Sequence, residues 1–375
     1  MSVPRFWRFN RKRYTLTGLQ CKTCGEHTLT PRLVCPRCHS EFEPVAQQVF
    51  PELDVQRKPR QEGESSPIRA TVLIPAYNAA ETIRATLSSL QAQDFTEPYE
   101  IIVVDSSSDQ TPRIIADEFS SVRLTHLEQQ TDPGTARNLG IVQAKGEIIA
   151  CIDADCVAPP DWLRRMVTEQ RAGHQVVGGT ISNGKQHSLI AWAGYLGEFR
   201  EWLPTGQARL VSHVPTCNIS YHRSIFARFG GFPTRFYPQE DLLFHWRLAQ
   251  HSIPIWFDPA ICVEHMHRSV WRRYAQHMRR IGRITARVLR LTGGEGVFLA
   301  RSPALAMLST PVLPLYKWLR TIGVFTSQQP AVLREHALAL VPFLVGLYVW
   351  AIGFVQGAFD PPLQVSQREV LWQTD

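Results

Sequence analysis

The chain has 375 residues, of which 44% are hydrophobic and 19% charged. That length excludes a single minimal core and makes two or three folded units the expectation, and the low charge points to a membrane-associated part. A net charge of +7 and a pI of about 9.1 suit a phosphorylated substrate, an anionic membrane or nucleic acid without choosing among them.

The N-terminus, MSVPRFWRFNRKRYTL, is basic but has no apolar stretch followed by a small-residue cleavage site, so no signal peptide is expected. Cys21 and Cys24, then Cys35 and Cys38, form two CxxC knuckles with ten residues between them. Four thiolates at this spacing can close tetrahedrally on a structural Zn2+, and no βαβ pattern surrounds them to suggest a redox pair. Together with Phe6-Trp7 and Pro31-Arg32, the knuckles resemble the rubredoxin-like zinc ribbon that precedes an OB-fold in acyl-CoA-associated proteins. No OB-fold pattern follows, so the ribbon, residues 1–45, is expected to stabilise or dock rather than to bind acyl-CoA. Residues 46–69 are polar and aperiodic, with RKPRQEGESS as the clearest linker.

Order returns at Ala70. The run ATVLIP predicts a buried strand that exits at Tyr77-Asn78, and Ile83, Leu87 and Leu90 recur at helical spacing. A second strand over Glu100–Val104 ends at Asp105, a helix follows at about Ile114–Phe119, and Val122–His126 predicts a third strand. Thr135–Ala144 reads as a helix, and Ile148–Ile152 as a buried strand that ends in Asp153-Ala154-Asp155. Strands alternating with helices at this rhythm predict an α/β domain with a mostly parallel, helix-covered sheet. Asp105, Asp153 and Asp155 then lie at carboxyl ends of strands, where open α/β sheets bind ligands. Residues i and i+2 of an extended segment project the same way, so Asp153 and Asp155 offer hard oxygen ligands to a divalent cation.

TVLIPAYNAAETI, VVDSSSDQT, GTARNLG and IACIDADC resemble, in order and spacing, the nucleotide half of family-two glycosyltransferases of the Rossmann-like GT-A fold. Gly230-Gly231-Phe232 followed by Gln239-Glu240-Asp241-Leu242 resembles that family's acceptor-side signature. The sequence departs from the family where Ser106 and Ala79 stand in place of acids. The resemblance implies transfer of a sugar, with inversion, from a nucleoside diphosphate to an acceptor hydroxyl. Pro75, Ala76, Tyr77, Asp105, Arg137 and Asp153 would bind the nucleotide sugar. Asp155, assisted by Asp153, would hold Mn2+ or Mg2+ on the diphosphate. Asp241 would be the catalytic base, supported by Glu240. His265, in VEHMH, would complete the metal site from behind.

From His265 to Arg290 the chain is rich in arginine, and Tyr274, Met278, Ile281 and Ile284 recur at helical spacing, predicting an amphipathic basic helix. No nucleic-acid module or stacking platform accompanies the arginines, so nucleic acid is not expected as a partner. Ala337–Phe359 has no charged residue and as a helix would reach ~35 Å, enough for a hydrocarbon core of ~30 Å. Pro303–Leu319 is shorter and interrupted, fit for half of a hairpin or for the interface. The expected organisation is a ribbon (1–45), a linker (46–69), a GT-A domain (70–290) and a membrane-associated region (291–375) with a spanning helix over 337–359.

The reading is a membrane-anchored, metal-dependent, inverting glycosyltransferase at the cytoplasmic membrane. Its catalytic domain would face the cytosol, and its acceptor would be a lipid-linked or cell-surface glycan. Two rivals stand beside it: a zinc-ribbon scaffold carrying an inactive transferase domain, and a nucleotidyltransferase.

Overall fold

The computed structural model describes residues 68–361 and two short strands, β1 (Leu19–Gln20) and β2 (His27–Thr28), which pair antiparallel. Cys21, Cys24, Cys35 and Cys38 lie outside the described residues, as does the linker up to residue 67. The chain divides into two compact units, residues 1–65 and 66–374.

Within the second unit the chain alternates as the periodicity requires. Strand β3 (Ala70–Ala76) leads to α1 (Ile83–Gln91), β4 (Tyr99–Asp105) to α2 (Thr111–Glu118), and β5 (Arg123–His126) to α3 (Pro133–Gln143) and β6 (Ile148–Ile152). These strands form a parallel ladder in the order β5-β4-β3-β6. Their near-continuous apolar runs are buried, with Val72, Ile74, Val103, Ala150 and Ile152 in one core. Gly140 of α3 lies against Leu73, where a Cβ would fall 2.0 Å from Cδ1, so the helix comes unusually close to the sheet.

Beyond β6 the sheet changes direction. β7 (Cys156–Val157), α4 (Trp162–Arg171), β8 (Val176–Asn183), α5 (Leu189–Glu198), β9 (Arg209–Val211), β10 (Asn218–His222), α6 (Arg223–Phe229), α7 (Glu240–Gln250) and β11 (Ile255–His265) follow. β10 runs antiparallel between β6 and β8, and β11 is parallel to β8 but antiparallel to β7 and β9. The unbroken parallel ladder is thus confined to β3–β6.

The C-terminal helices pack on this sheet domain within the same unit. They are α8 (Trp271–Thr292), α9 (Val297–Arg301), α10 (Pro303–Ser309), α11 (Leu313–Gln328), α12 (Pro330–Glu335) and α13 (Leu340–Phe359), the last entered through a 3-10 turn at Ala337–Ala339. Ala337–Phe359 is the one stretch among the described residues long and apolar enough to cross a membrane. It lies lengthwise and parallel against α8. A Cβ on Gly282 would fall 1.9 Å from the Trp350 carbonyl, one on Gly353 2.0 Å from that of Arg279, and one on Gly357 2.1 Å from that of Arg283. Small residues on both helices let the two backbones touch. Arginines of α8 then serve α13: Arg279 Nε donates to Gln356 Oε1 at 2.9 Å, Arg283 Nε to Asp360 Oδ2 at 2.8 Å, and Arg290 Nη2 to the Gly357 carbonyl at 2.9 Å. Cations at the free carbonyls of a helix C-terminus are favourable.

Candidate active site

The strand ends converge on one large cavity of about 1450 Å3. Pro75, Ala76 and Tyr77 line it where β3 exits, and Tyr77 is 46% exposed. The exits of β3 and β4 are tied together. Asn78 N donates to Ser107 Oγ at 2.7 Å, Ala79 N to Thr111 Oγ1 at 2.9 Å and Ala80 N to Asp109 Oδ2 at 3.2 Å. Asn78 sits at a positive φ of 49°, a conformation that asparagine tolerates better than most residues.

Asp105 is fully buried beneath this rim. Its carboxylate accepts from Ser107 N at 3.2 Å, bonds the Ser107 hydroxyl, and pairs with His126 Nδ1 at 2.6 Å. The neighbouring Ser106 and the more distal Asp109 face the cavity. Asp105 does not line the cavity; its neighbour Ser106 does, together with Asp109 and Glu81, which the sequence had not singled out as ligand contacts.

The Asp153-Ala154-Asp155 turn is clamped from α1: Thr82 Oγ1 and Thr86 Oγ1 donate to the Ala154 carbonyl at 2.8 and 3.0 Å. Both aspartates line the cavity, with side chains 31% and 37% exposed. The register of β11 on β7 places His265 opposite Cys156 and so beside Asp155, with Nε2 3.5 Å from Asp155 Oδ1. That spacing suits two ligands lying roughly 2.0–2.2 Å from a common divalent ion. Cys156 Sγ is also near, and burial and the neighbouring Cys217 push its thiol well above the usual range; a thiol is a soft ligand that suits Mn2+ or Mg2+ less than oxygen does. Asp155 and His265 thus make an oxygen–nitrogen donor pair that fits Mn2+ or Mg2+, with Asp153 alongside.

Arg137 is 2% exposed and points inward. Nη2 donates to Asp153 Oδ1 at 2.6 Å and Nη1 to Glu240 Oε1 at 3.0 Å. Burial alone would lower its pKa, but Asp153 and Glu240 raise it above the ordinary value, so it carries full charge. Glu240 is pushed the other way. Burial, then the adjacent Asp241, raise its carboxyl to about 8 against the pull of Arg137. The next residue on α3, Asn138, reads the backbone of the glycine turn. Its Nδ2 donates to the Phe232 carbonyl at 2.8 Å and its Oδ1 accepts from Phe232 N at 2.8 Å. The motifs GTARNLG and GGF are therefore a single interlocked piece.

Asp241, the second residue of α7, lines the same cavity. Oδ2 accepts from Thr216 N at 3.2 Å, and Oδ1 from Leu242 N at 2.7 Å. Glu240, one residue earlier, turns into the protein toward Arg137. Behind Asp241, His245 Nδ1 meets His213 Nδ1 at 2.7 Å and its Nε2 meets the Tyr221 hydroxyl at 2.6 Å. Burial and then His213 hold His245 well below its ordinary pKa, so it is neutral. Nothing in the sequence signalled this pair, because His213 and His245 lie on separate elements with no shared motif.

Residues 71–230 match the model of the family described as "Glycosyl transferase family 2", and residues 11–43 match "ChsH2, rubredoxin-like zinc ribbon domain". Over 117 residues the chain is 36% identical to "Glycosyltransferase AglE" of Haloferax volcanii, covering 30% of this chain and 38% of that protein. Over 127 residues it is 32% identical to "Undecaprenyl-phosphate 4-deoxy-4-formamido-L-arabinose transferase" of Serratia proteamaculans, covering 32% of this chain and 39% of that protein. The chain therefore spans less than two fifths of the length of these two curated relatives. Among solved structures, the mannosyltransferase PcManGT of Pyrobaculum calidifontis superposes with a TM-score of 0.49 at 20% identity, over 78% of this chain and 90% of that one.

Proposed function

We propose, from the match of residues 71–230 to the family 2 glycosyl transferase model, that the chain transfers a sugar from a nucleoside diphosphate to an acceptor hydroxyl with inversion. One observation carries this reading: Asp153 and Asp155, from the turn after β6, and Asp241 of α7 line one cavity that also opens onto the β3 exit.

The nucleotide would lie along Pro75–Tyr77 and Ser106, against Asp109. Asp155 and His265, with Asp153, would hold the divalent cation on the diphosphate. When bound, that ion offsets the charge developing on the leaving group. Arg137 keeps Asp153 in place and adds fixed positive charge behind it, so no reorganisation is needed as the glycosidic bond breaks. Asp241 would take the proton of the acceptor hydroxyl as it attacks the anomeric carbon from the opposite face. Thr216 N and Leu242 N fix both of its oxygens, which orients the carboxylate. Glu240 is a positioning residue: its bond to Arg137 ties the start of α7 to the metal-side acids.

We further propose that the protein works at the cytoplasmic membrane, with the sheet domain in the cytosol. Exposed apolar side chains cluster on the C-terminal helices, among them Leu308 at 76%, Val312 at 67% and Val341 at 66%. Spanning by α13 would draw Arg279, Arg283 and Arg290 of α8 toward hydrocarbon, at roughly 2.5–3.5 kcal/mol each on insertion scales. The pairing of α8 with α13 favours a helix bundle embedded in the interface. The acceptor would be a lipid-linked or surface glycan, and the ribbon would hold structural Zn2+.

The test is to incubate the detergent-solubilised full chain with a panel of nucleotide sugars and Mn2+ or Mg2+ and follow nucleotide release. Donor-specific, metal-dependent release that Asp155→Ala abolishes supports the transferase. Absence of release and of metal-dependent nucleotide binding across the panel favours a scaffold. Carbonate extraction of membranes separates interfacial docking, which it releases, from spanning, which it does not.

A further inference from the structure

The cavity that holds the carboxylates does not end with them. It continues past Phe199 and Trp202 to Arg200, Lys317 and Trp350. The connection is physical. Trp202 Nε1 donates to the His213 carbonyl at 3.0 Å, and the segment from His213 leads to Thr216, whose backbone N–H holds Asp241. At the far end Lys317 Nζ lies 4.3 Å from the centre of the Trp350 ring, with no carboxylate in salt-bridge reach among the described residues. Arg200 is 12% exposed, and its Nε is buried without a partner. Its Nη1 reaches Thr321 Oγ1 at 3.4 Å. Glu201 is the nearby acid, but it is half exposed and shared, 3.6 Å from Arg200 and 3.1 Å from Arg320.

Two cations drawn out of water beside a third, with one peripheral carboxylate among them, are costly unless an anion joins them. The cost registers on Lys317, whose amine is pushed down to about 8 by burial, then by Arg200 and Arg320. A fork-shaped guanidinium donor, an ammonium and an indole face together suit a phosphate group attached to an apolar or sugar moiety.

We propose that Arg200 and Lys317, between the walls formed by Trp202 and Trp350, are an anion subsite that binds a phosphate group of the acceptor while the acceptor hydroxyl faces Asp241. This rests on the transferase reading for the word acceptor, though not for the binding itself. The phosphate could belong to a soluble sugar phosphate or to a lipid headgroup, since the exposed apolar residues of α10 and α11 flank the same helices.

Equilibrium binding to the detergent-solubilised full chain distinguishes these sources. The probes are N-acetylglucosamine 1-phosphate in solution, and phosphatidic acid in phosphatidylcholine micelles against phosphatidylcholine micelles alone. Binding of either phosphate probe, weakened by roughly tenfold or more in both Lys317→Met and Arg200→Gln, is the expected result. A response to the sugar phosphate assigns a soluble source, and a response to phosphatidic acid alone assigns a lipid one. Affinity for UDP and GDP with Mn2+ at the carboxylate end should stay unchanged in both variants. No binding of either probe by the unaltered protein overturns the subsite, as does binding that neither substitution weakens. If Lys317→Met does not fold, Arg200→Gln carries the same comparison. Should the donor panel fail while phosphate binding persists, the transferase reading falls and the subsite stands.

Discussion

Arg137 and Glu240, 103 residues apart in the chain, meet inside the protein with Nη1 and Oε1 3.0 Å apart, and the same guanidinium grips Asp153. One positive charge thus faces three carboxylates, Asp153, Glu240 and Asp241. Burial pushes both Asp153 and Glu240 above the ordinary carboxylate range despite that charge, and Glu240, 4% exposed, also leaves Oε2 without a partner.

The sign of the resulting pH dependence follows. Glu240 rises from 4.5 to about 8 on folding, so the folded chain binds its proton more tightly than the unfolded one. Its ionisation costs no stability below the unfolded value and costs progressively more as pH climbs from 4.5 to about 8. Glu240→Gln, which stays neutral, should remove that decline from the pH profile of the melting temperature. A profile identical to that of the unaltered protein would refute the assignment.

Arg137→Met leaves Asp153 and Glu240 without their buried counter-charge. A loss of roughly 3–5 kcal/mol in chemical denaturation is expected, less whatever Glu240 recovers by protonation. Nucleotide release should fall even under conditions where the variant is fully folded, because Asp153 is no longer held.

His265→Ala should raise the Mn2+ concentration needed for half-maximal nucleotide binding. The shift should be no smaller than the roughly 10–100-fold caused by losing an outer-shell partner. Titrating the metal against a fixed nucleotide measures it, and an unchanged midpoint would remove His265 from the ligand set.

Asp241→Asn should lower kcat by roughly 100- to 10,000-fold while leaving metal-dependent nucleotide binding in place. Thr216→Val keeps the backbone donor to Asp241 and should cost far less. Comparable losses in the two variants would mean that Asp241 matters for structure and not as the base.

Gly353→Val places a side chain where a Cβ already falls 2.0 Å from the Arg279 carbonyl. Separation of α8 and α13 should destabilise the chain by roughly 1–3 kcal/mol or more, visible in thermal unfolding. Gly323→Ala, with open space around its Cβ, is the matched control and should be neutral or better.

The strands that carry the site were readable because their cause is local. ATVLIP and EIIACI are short apolar runs bounded by turn residues, and the structure extends the first only to Ala76. The glycine-turn and acidic motifs of the acceptor side were also visible as words, but not as neighbours. That Asn138 binds the backbone of Phe232 depends on how α3 lies over the sheet, which no window of sequence contains. The resemblance implied a nucleotide contact for Arg137, and the residue does line the cavity; its double bond to Asp153 and Glu240 came only from how α3 and α7 pack.

The sequence by itself determined the order of elements from β3 to β6, the paired carboxylates after β6 and the apolar length of Ala337–Phe359, because periodicity and i, i+2 projection act within a few residues. The tertiary structure alone decided which groups meet. Register between β7 and β11 brought His265 to Asp155, glycine contacts laid α13 along the arginines of α8, and the loop after α5 set Arg200 near Lys317. Those outcomes depend on long-range packing and on which charges lose their water, and both are properties of the folded chain as a whole.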